Sequence, residues 1–190
     1  MEYRINKQKL WDTLEGWDRY IPGRLRLVAC GGTALTVQDL KPSTKDVDFL
    51  VPDEKEYKTL LNILEKLGYK KRTGMGWARE DGFVFDLFPG KKVYVTELLE
   101  SPLDEGNSIL IKEFKKISVS ALNDYDLVIT KMFRGTEVDI EDCMALVNAR
   151  GKSFDWEKLK RRYKETAEYD VSFERIMKNL DVLLARAEKA

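Results

Sequence analysis

The apolar residues of this chain change their period part-way along, and that change constrains the fold more than any other feature. Up to about residue 118, short runs at strand periodicity alternate with helical stretches. Leu10, Trp11, Leu14 and Trp17 recur at helical spacing, and Pro22-Gly23 ends that segment. Arg24 to Cys30 reads as a strand, Gly31-Gly32 breaks it, and Thr33 to Leu40 reads as a short helix. Asp46 to Val51 alternates charged and apolar residues, which places Asp46 and Asp48 on one face of a strand. Asp53 with Glu56 forms a capping-box pattern, and Tyr57, Leu60, Leu61, Leu64 and Leu67 supply the buried stripe of the helix that follows. Strands are expected at Tyr69 to Arg72, Trp77 to Glu80 and Phe83 to Phe88, with edge strands at Val93-Tyr94-Val95 and Ile109-Leu110-Ile111. From Ser120 onward each stretch is helical, with Thr136 as an N-cap and Gly151 as a stop. The expectation is an α/β (α+β) region over 1–118, its mixed sheet flanked by helices, and a helical region over 119–190 packed on it.

Charge and residue usage exclude several kinds of chemistry. The chain has 33 basic and 33 acidic residues, so nothing in its net charge suggests a protein that coats nucleic acid by bulk electrostatics. It has no histidine, which removes Ser-His-Asp triads, Cys-His dyads and His-ligated zinc together. Its two cysteines, Cys30 and Cys143, each lie in an apolar run and read as buried thiols. No apolar run approaches membrane-spanning length, and Met1-Glu2-Tyr3-Arg4 lacks the apolar core of a signal peptide, so a cytoplasmic location and no membrane partner are expected.

Three pieces of sequence carry chemistry. The first is the strand-to-helix turn Cys30-Gly31-Gly32-Thr33, where glycines and a helix N-terminus let backbone N–H groups approach a phosphate. The second is Asp46-Val47-Asp48-Phe49, whose carboxylates repel each other unless a cation lies between them. Mg²⁺ suits such a pair, because it takes hard oxygen ligands and shares them with substrate phosphates. The third is Asp86 in Phe83-Val84-Phe85-Asp86-Leu87-Phe88, a carboxylate too costly to bury there unpaired. Each piece alone also has a plain reading: a tight turn, solvated charge, or an acid paired with a lysine.

Together they resemble the signature of the DNA polymerase β-like nucleotidyltransferase superfamily. That signature is a Gly-Gly or Gly-Ser pair, a spacer, an Asp-apolar-Asp-apolar strand and a third acid on a later strand. Here the spacer is the thirteen residues from Thr33 to Lys45. The run from Gly31 to Asp48 is especially similar to the small prokaryotic members, including the AbiEii-type toxin nucleotidyltransferases. Leu127-Val128-Ile129-Thr130-Lys131, then Arg134, then Asp139-Ile140-Glu141-Asp142 resembles the Lys-containing helix and Asp-x-x-Asp motif of those families. One departure is Gly32, where many active members carry Ser.

The resemblance implies a nucleotidyltransferase fold and transfer of a nucleoside monophosphate from an NTP. Asp46, Asp48 and Asp86 would be the catalytic residues and would hold two Mg²⁺ ions, with Asp86 as the base. Gly31, Gly32 and Thr33, with Lys131 and Arg134, would bind the nucleotide. The acceptor would be RNA, tRNA in particular, a protein hydroxyl or a small molecule, and a toxin-like role with an antitoxin partner is implied. The competing expectation is a non-catalytic nucleotide- or RNA-binding module on the same fold. Lys131 and Arg134 read equally well as cations closing a helix, and Asp139 and Asp142 as first-turn acids or as groups that orient Lys131. Lys70, Lys71 and Arg72 form a small basic cluster, and Trp77 reads as core.

Overall fold

The computed structural model describes residues 4–80 and 82–189. A seven-stranded mixed sheet forms its centre, in the order β3-β4-β5-β2-β1-β9-β8. In chain order the strands are β1 (Leu25–Ala29), β2 (Val47–Val51), β3 (Lys70–Lys71), β4 (Gly76–Ala78), β5 (Phe85–Pro89), β8 (Ser108–Glu113) and β9 (Ile117–Leu122). A separate two-stranded hairpin, β6 (Lys92–Val93) and β7 (Thr96–Glu97), stands beside it. The helices are α1 (Lys7–Asp18), α2 (Gly31–Val37), α3 (Glu54–Lys66), α4 (Asp124–Met132), α5 (Glu137–Arg150), α6 (Trp156–Ala167) and α7 (Phe173–Ala187).

The central strands β1 and β2 are buried along nearly their whole length, as their near-continuous apolar sequences require. β1 runs antiparallel to β2 and parallel to β9, while β2 runs parallel to β5. The β2–β5 register sets Asp48 opposite Asp86, so one pairing brings together two acids that are far apart in sequence. Helix α1 closes over the β5 side. Its Trp17 ring lies 4.6 Å from Phe85 and 5.6 Å from Tyr69, and Trp17 Nε1 donates to the Tyr69 hydroxyl at 3.2 Å. Its last residue, Asp18, accepts from the backbone N–H groups of Lys116 and Ile117 at 2.8 Å, which fixes the entry to β9.

Helix α4 is the hinge between sheet and helices. It is buried along its length and contacts α2, α5, α6 and α7. Arg162 of α6 grips Asp126 at the start of α4 through two bonds of 2.6 and 2.9 Å, and Asn179 of α7 donates to the Met132 carbonyl at its end, at 2.8 Å. One hydrophobic core runs from α1 through the sheet to α7.

Three local expectations change. The helical part begins at Asp124, because Ile117–Leu122, which straddles residue 118, pairs with both β1 and β8. Val93-Tyr94-Val95 is not an edge strand, because Tyr94 and Val95 turn the β6–β7 hairpin and Tyr94 has φ +52°. The capping box at Asp53 is half made: Asp53 accepts from the N–H groups of Lys55 and Glu56, but Glu56 turns away to Arg26 of β1, accepting from its backbone N–H and Nε at 2.7 and 2.8 Å. A part-buried guanidinium pair prevails over the local backbone bond there. Trp77, Cys30 and Cys143 are buried as expected, and both thiols are free.

Candidate active site

Strand β1 ends at Cys30, whose N–H donates to the Asp48 carbonyl at 3.1 Å, and the chain turns at once into α2. The turn needs glycine. Gly31 has φ +55°, and a Cβ on it would lie 2.3 Å from Asp48 Oδ2. At Gly32 a Cβ would lie 2.6 Å from Thr44 Oγ1, which gives a steric reason for glycine where other transferases carry serine. Thr33 is buried and turned inward. Its hydroxyl accepts from the Asp48 N–H at 2.9 Å and donates to the Asp46 carbonyl at 3.3 Å. Thr44 donates to the same carbonyl at 2.9 Å. The Thr33 side chain therefore anchors the segment bearing the two aspartates.

Asp46 is exposed at the mouth of β2, Asp48 is buried within it, and Asp86 is half-buried on β5. Burial raises the Asp48 pKa from 3.8 to about 6, opposed by a hydrogen bond from Tyr94 and assisted by the charges of Asp86 and Asp46. Asp86 is also raised, first by burial and then by the charge of Asp46. The charges of Asp86 and Asp46 thus disfavour the ionised state of Asp48, and that of Asp46 disfavours the ionised state of Asp86. A hard divalent cation is the chemistry that relieves such a set. The carboxylates do not close on a common point: among the described residues, no three His, Cys, Asp or Glu side chains stand ready to hold one ion. Tyr94 stands between them. Its hydroxyl donates to Asp48 Oδ1 at 2.6 Å and lies 3.4 Å from Asp86 Oδ2.

Opposite the aspartates, α4 and α5 bring up the second motif. Lys131 Nζ donates to Asp142 Oδ2 at 2.7 Å and lies 3.7 Å from Asp139 Oδ1. Arg134 Nη2 donates to Asp139 Oδ1 at 2.6 Å, and Lys41 Nζ reaches Asp142 Oδ1 at 2.7 Å. Asp139 also completes a capping box with Thr136, so it both caps the helix and orients the cations. Burial works against the charge of Asp139, but the bonds from Arg134 and Thr136 outweigh it and hold its pKa below the ordinary value. Lys131 is only 3% exposed, whereas Arg134 is 34% exposed and lies over the Tyr94 ring at 4.8 Å. Both line a cleft of about 390 Å³ together with Gly32, Lys41, Asp46, Asp48 and Tyr94. A second cleft, of about 610 Å³, opens on the Asp86 side between Met75, Phe88, Lys92 and Tyr94.

Tyr94 and Lys41 were not legible as site residues. Tyr94 lies in a run that reads as an edge strand and Lys41 in a plain turn, and only the folding of the hairpin and the loop carries them to the aspartates.

Residues 19–189 match the model of a family described as nucleotidyltransferase of unknown function (DUF6036). The chain belongs to this family of nucleotidyltransferases. Solved structures with a similar fold include ANT(2")-Ia in complex with adenylyl-2"-tobramycin, with 17% identity and a TM-score of 0.52, covering 82% of this chain and 92% of that one. The solution structure of the antibiotic-resistance factor ANT(2'')-Ia has 16% identity and a TM-score of 0.53, covering 80% and 85%. No curated protein sequence matches the chain. The family match and the mixed sheet agree with the polymerase β-like type expected from the motifs. Among the described residues, no helix is long and apolar enough to cross a membrane.

Proposed function

We propose that this nucleotidyltransferase moves a nucleoside monophosphate from an NTP to an acceptor hydroxyl in a Mg²⁺-dependent reaction centred on Asp46, Asp48 and Asp86. The observation that carries the reading is the β2–β5 register, which sets Asp48 opposite Asp86 at the end of the glycine turn. The donor set is all carboxylate and short of positive charge, which suits Mg²⁺. Two bound Mg²⁺ ions would supply the charge that stabilises the attacking and leaving oxygens of an in-line displacement. Asp46 and Asp48 would hold the ion that carries the triphosphate, and all three aspartates would hold the ion beside the acceptor. Asp86 is the base for the acceptor proton. The backbone N–H groups of Gly31 and Gly32 would cradle the β/γ-phosphates, and Arg134 would offer its guanidinium to the same charge. Lys131, buried on Asp142, acts through the field of the cleft and through the position of that pair.

The acceptor class proposed is an RNA end, tRNA in particular, or a protein hydroxyl. The toxin-like role, an antitoxin partner and a cytoplasmic place of action belong to the same proposal through the resemblance. The non-catalytic reading has one observation in its favour, the Tyr94 phenol standing among the aspartates. Incubation with each α-labelled NTP, Mg²⁺, total RNA and total protein separates the two. Label transferred by the wild type and lost in Asp46→Asn supports transfer. Mg²⁺-dependent nucleotide binding without any label supports the binding module. If Asp46→Asn leaves nucleotide binding with Mg²⁺ unchanged, the site is wrongly placed.

A further inference from the structure

Tyr94 has no part in the chemistry just described, yet it stands at the centre of it. Its backbone is in the left-handed region, φ +52°, at the first position of a two-residue hairpin turn where glycine is the usual occupant. A bulky residue there is uncommon, and such strain persists where the surroundings hold it in place. The holding contacts are specific. The ring packs edge-on against Phe88 at 4.7 Å and lies under Arg134 at 4.8 Å. The hydroxyl has one proton to give, and the distances of 2.6 and 3.4 Å assign it to Asp48, with Asp86 next to it. The side chain also lines both clefts, so it forms the wall between them.

A nucleotidyltransferase has to keep water from the position its acceptor will take, since water attacking the same phosphorus wastes the nucleotide. We propose that Tyr94 is a specificity residue whose hydroxyl occupies the acceptor hydroxyl's place between Asp48 and Asp86, and that it yields this place only when an acceptor enters through the second cleft. The inference rests on the nucleotidyl-transfer reading of the site. The hairpin can supply the movement, because β6 and β7 pair only with each other and lie outside the main sheet. Without Tyr94, water would enter between Asp48 and Asp86. Its oxygen would bond to the α-phosphorus as the bond to the β-phosphate oxygen breaks, giving nucleoside monophosphate and pyrophosphate, with the proton passing to Asp86.

The test uses the full chain with Tyr94→Phe and Tyr94→Gly. The glycine variant accepts the positive φ, so the turn is kept while the ring is lost. Two quantities are measured without any acceptor: Mn²⁺ affinity in the absence of nucleotide, and release of AMP and pyrophosphate from ATP. Both variants are expected to bind Mn²⁺ several-fold more tightly, because the phenol no longer competes for Asp48. Both are expected to release AMP faster, the glycine variant by about tenfold or more. A variant that is merely damaged would lose both quantities, which is the opposite sign and overturns the proposal. Mn²⁺ binding and AMP release at wild-type levels in both variants overturn it too, as does tighter Mn²⁺ binding with unchanged release, which would make Tyr94 a plug with no role against water. A wild type that shows no Mn²⁺-dependent nucleotide binding overturns the transfer reading and this inference together. A wild type that labels an acceptor while its variants release no extra AMP removes this inference alone.

Discussion

Two clusters of charge face each other across one cleft, and they are built on opposite principles. On α4 and α5, Lys131, Arg134, Asp139 and Asp142 form ion pairs within the chain, with Lys41 joining from the loop before β2. On β2 and β5, Asp48 and Asp86 share a neutral phenol as a partner beside Asp46, and these two inner acids are pushed toward the protonated form. Both clusters are rich in aspartate. The first is compensated and behaves as scaffold. The second is short of positive charge, and that deficit is where a cation or a substrate's counter-ion can add energy.

The comparison is broken most severely at Lys131. Replacing it with Met leaves Asp142 and Asp139 buried with less compensation, and the expected loss is about 3–5 kcal/mol of folding stability in urea or heat. A stable variant lacking only nucleotide binding would instead move Lys131 from scaffold to ligand contact. The opposite result is expected from Asp48→Asn. It should lower transfer by about 10²- to 10³-fold, the usual cost of removing one preorganised electrostatic contact. Its stability at neutral pH should hold or rise, because a buried charge is gone.

The third effect is in pH. The folded Asp48 pKa of about 6 lies above its ordinary 3.8, so between those values the folded state holds a proton that the unfolded state has lost. The Asp48 contribution to the stability of the metal-free protein therefore falls as pH rises through about 4 to 6, by about 3 kcal/mol in all, and stays lower above that. Mg²⁺ with nucleotide should offset this loss, and Asp48→Asn should remove it. Thermal melts across pH for both proteins check the sign, and a wild type that gains stability relative to Asp48→Asn over this window contradicts it. The smallest effect is expected at the turn. Gly31→Ala should cost about 1–3 kcal/mol and disturb Asp48, since its Cβ would meet that carboxylate in a strained backbone. Equal stability with unchanged activity would show that the β1–α2 turn has more room than its geometry implies.

Much of the frame was legible in local pattern. The apolar periods located α1, α3, α6 and α7 to within a few residues, because each buries one face, and the core strands β1, β2 and β5, because their runs are short and apolar. The end of the sheet was not legible. Ile117–Leu122 alternates under the burden of two neighbours, β1 and β8, and nothing inside the segment reveals that both will pair with it. The half-made capping box at Asp53 fails for a similar reason, since the competing partner, Arg26, is on another strand.

The sequence by itself determined the chemical alphabet of this protein: no histidine, a glycine pair ahead of Asp46 and Asp48, an acid within the apolar strand at Asp86, and cations placed before Asp139 and Asp142. These follow from residue type and spacing, which one chain states in full. Only the tertiary structure decided which charges compensate each other. The register sets Asp48 against Asp86, the α4–α5 turn commits Lys131 and Arg134 to acids of their own, Thr33 turns inward, and a strained hairpin brings Tyr94 to the aspartates. Those outcomes depend on distances between segments far apart in the chain, and such distances are fixed only when the sheet closes and its helices pack.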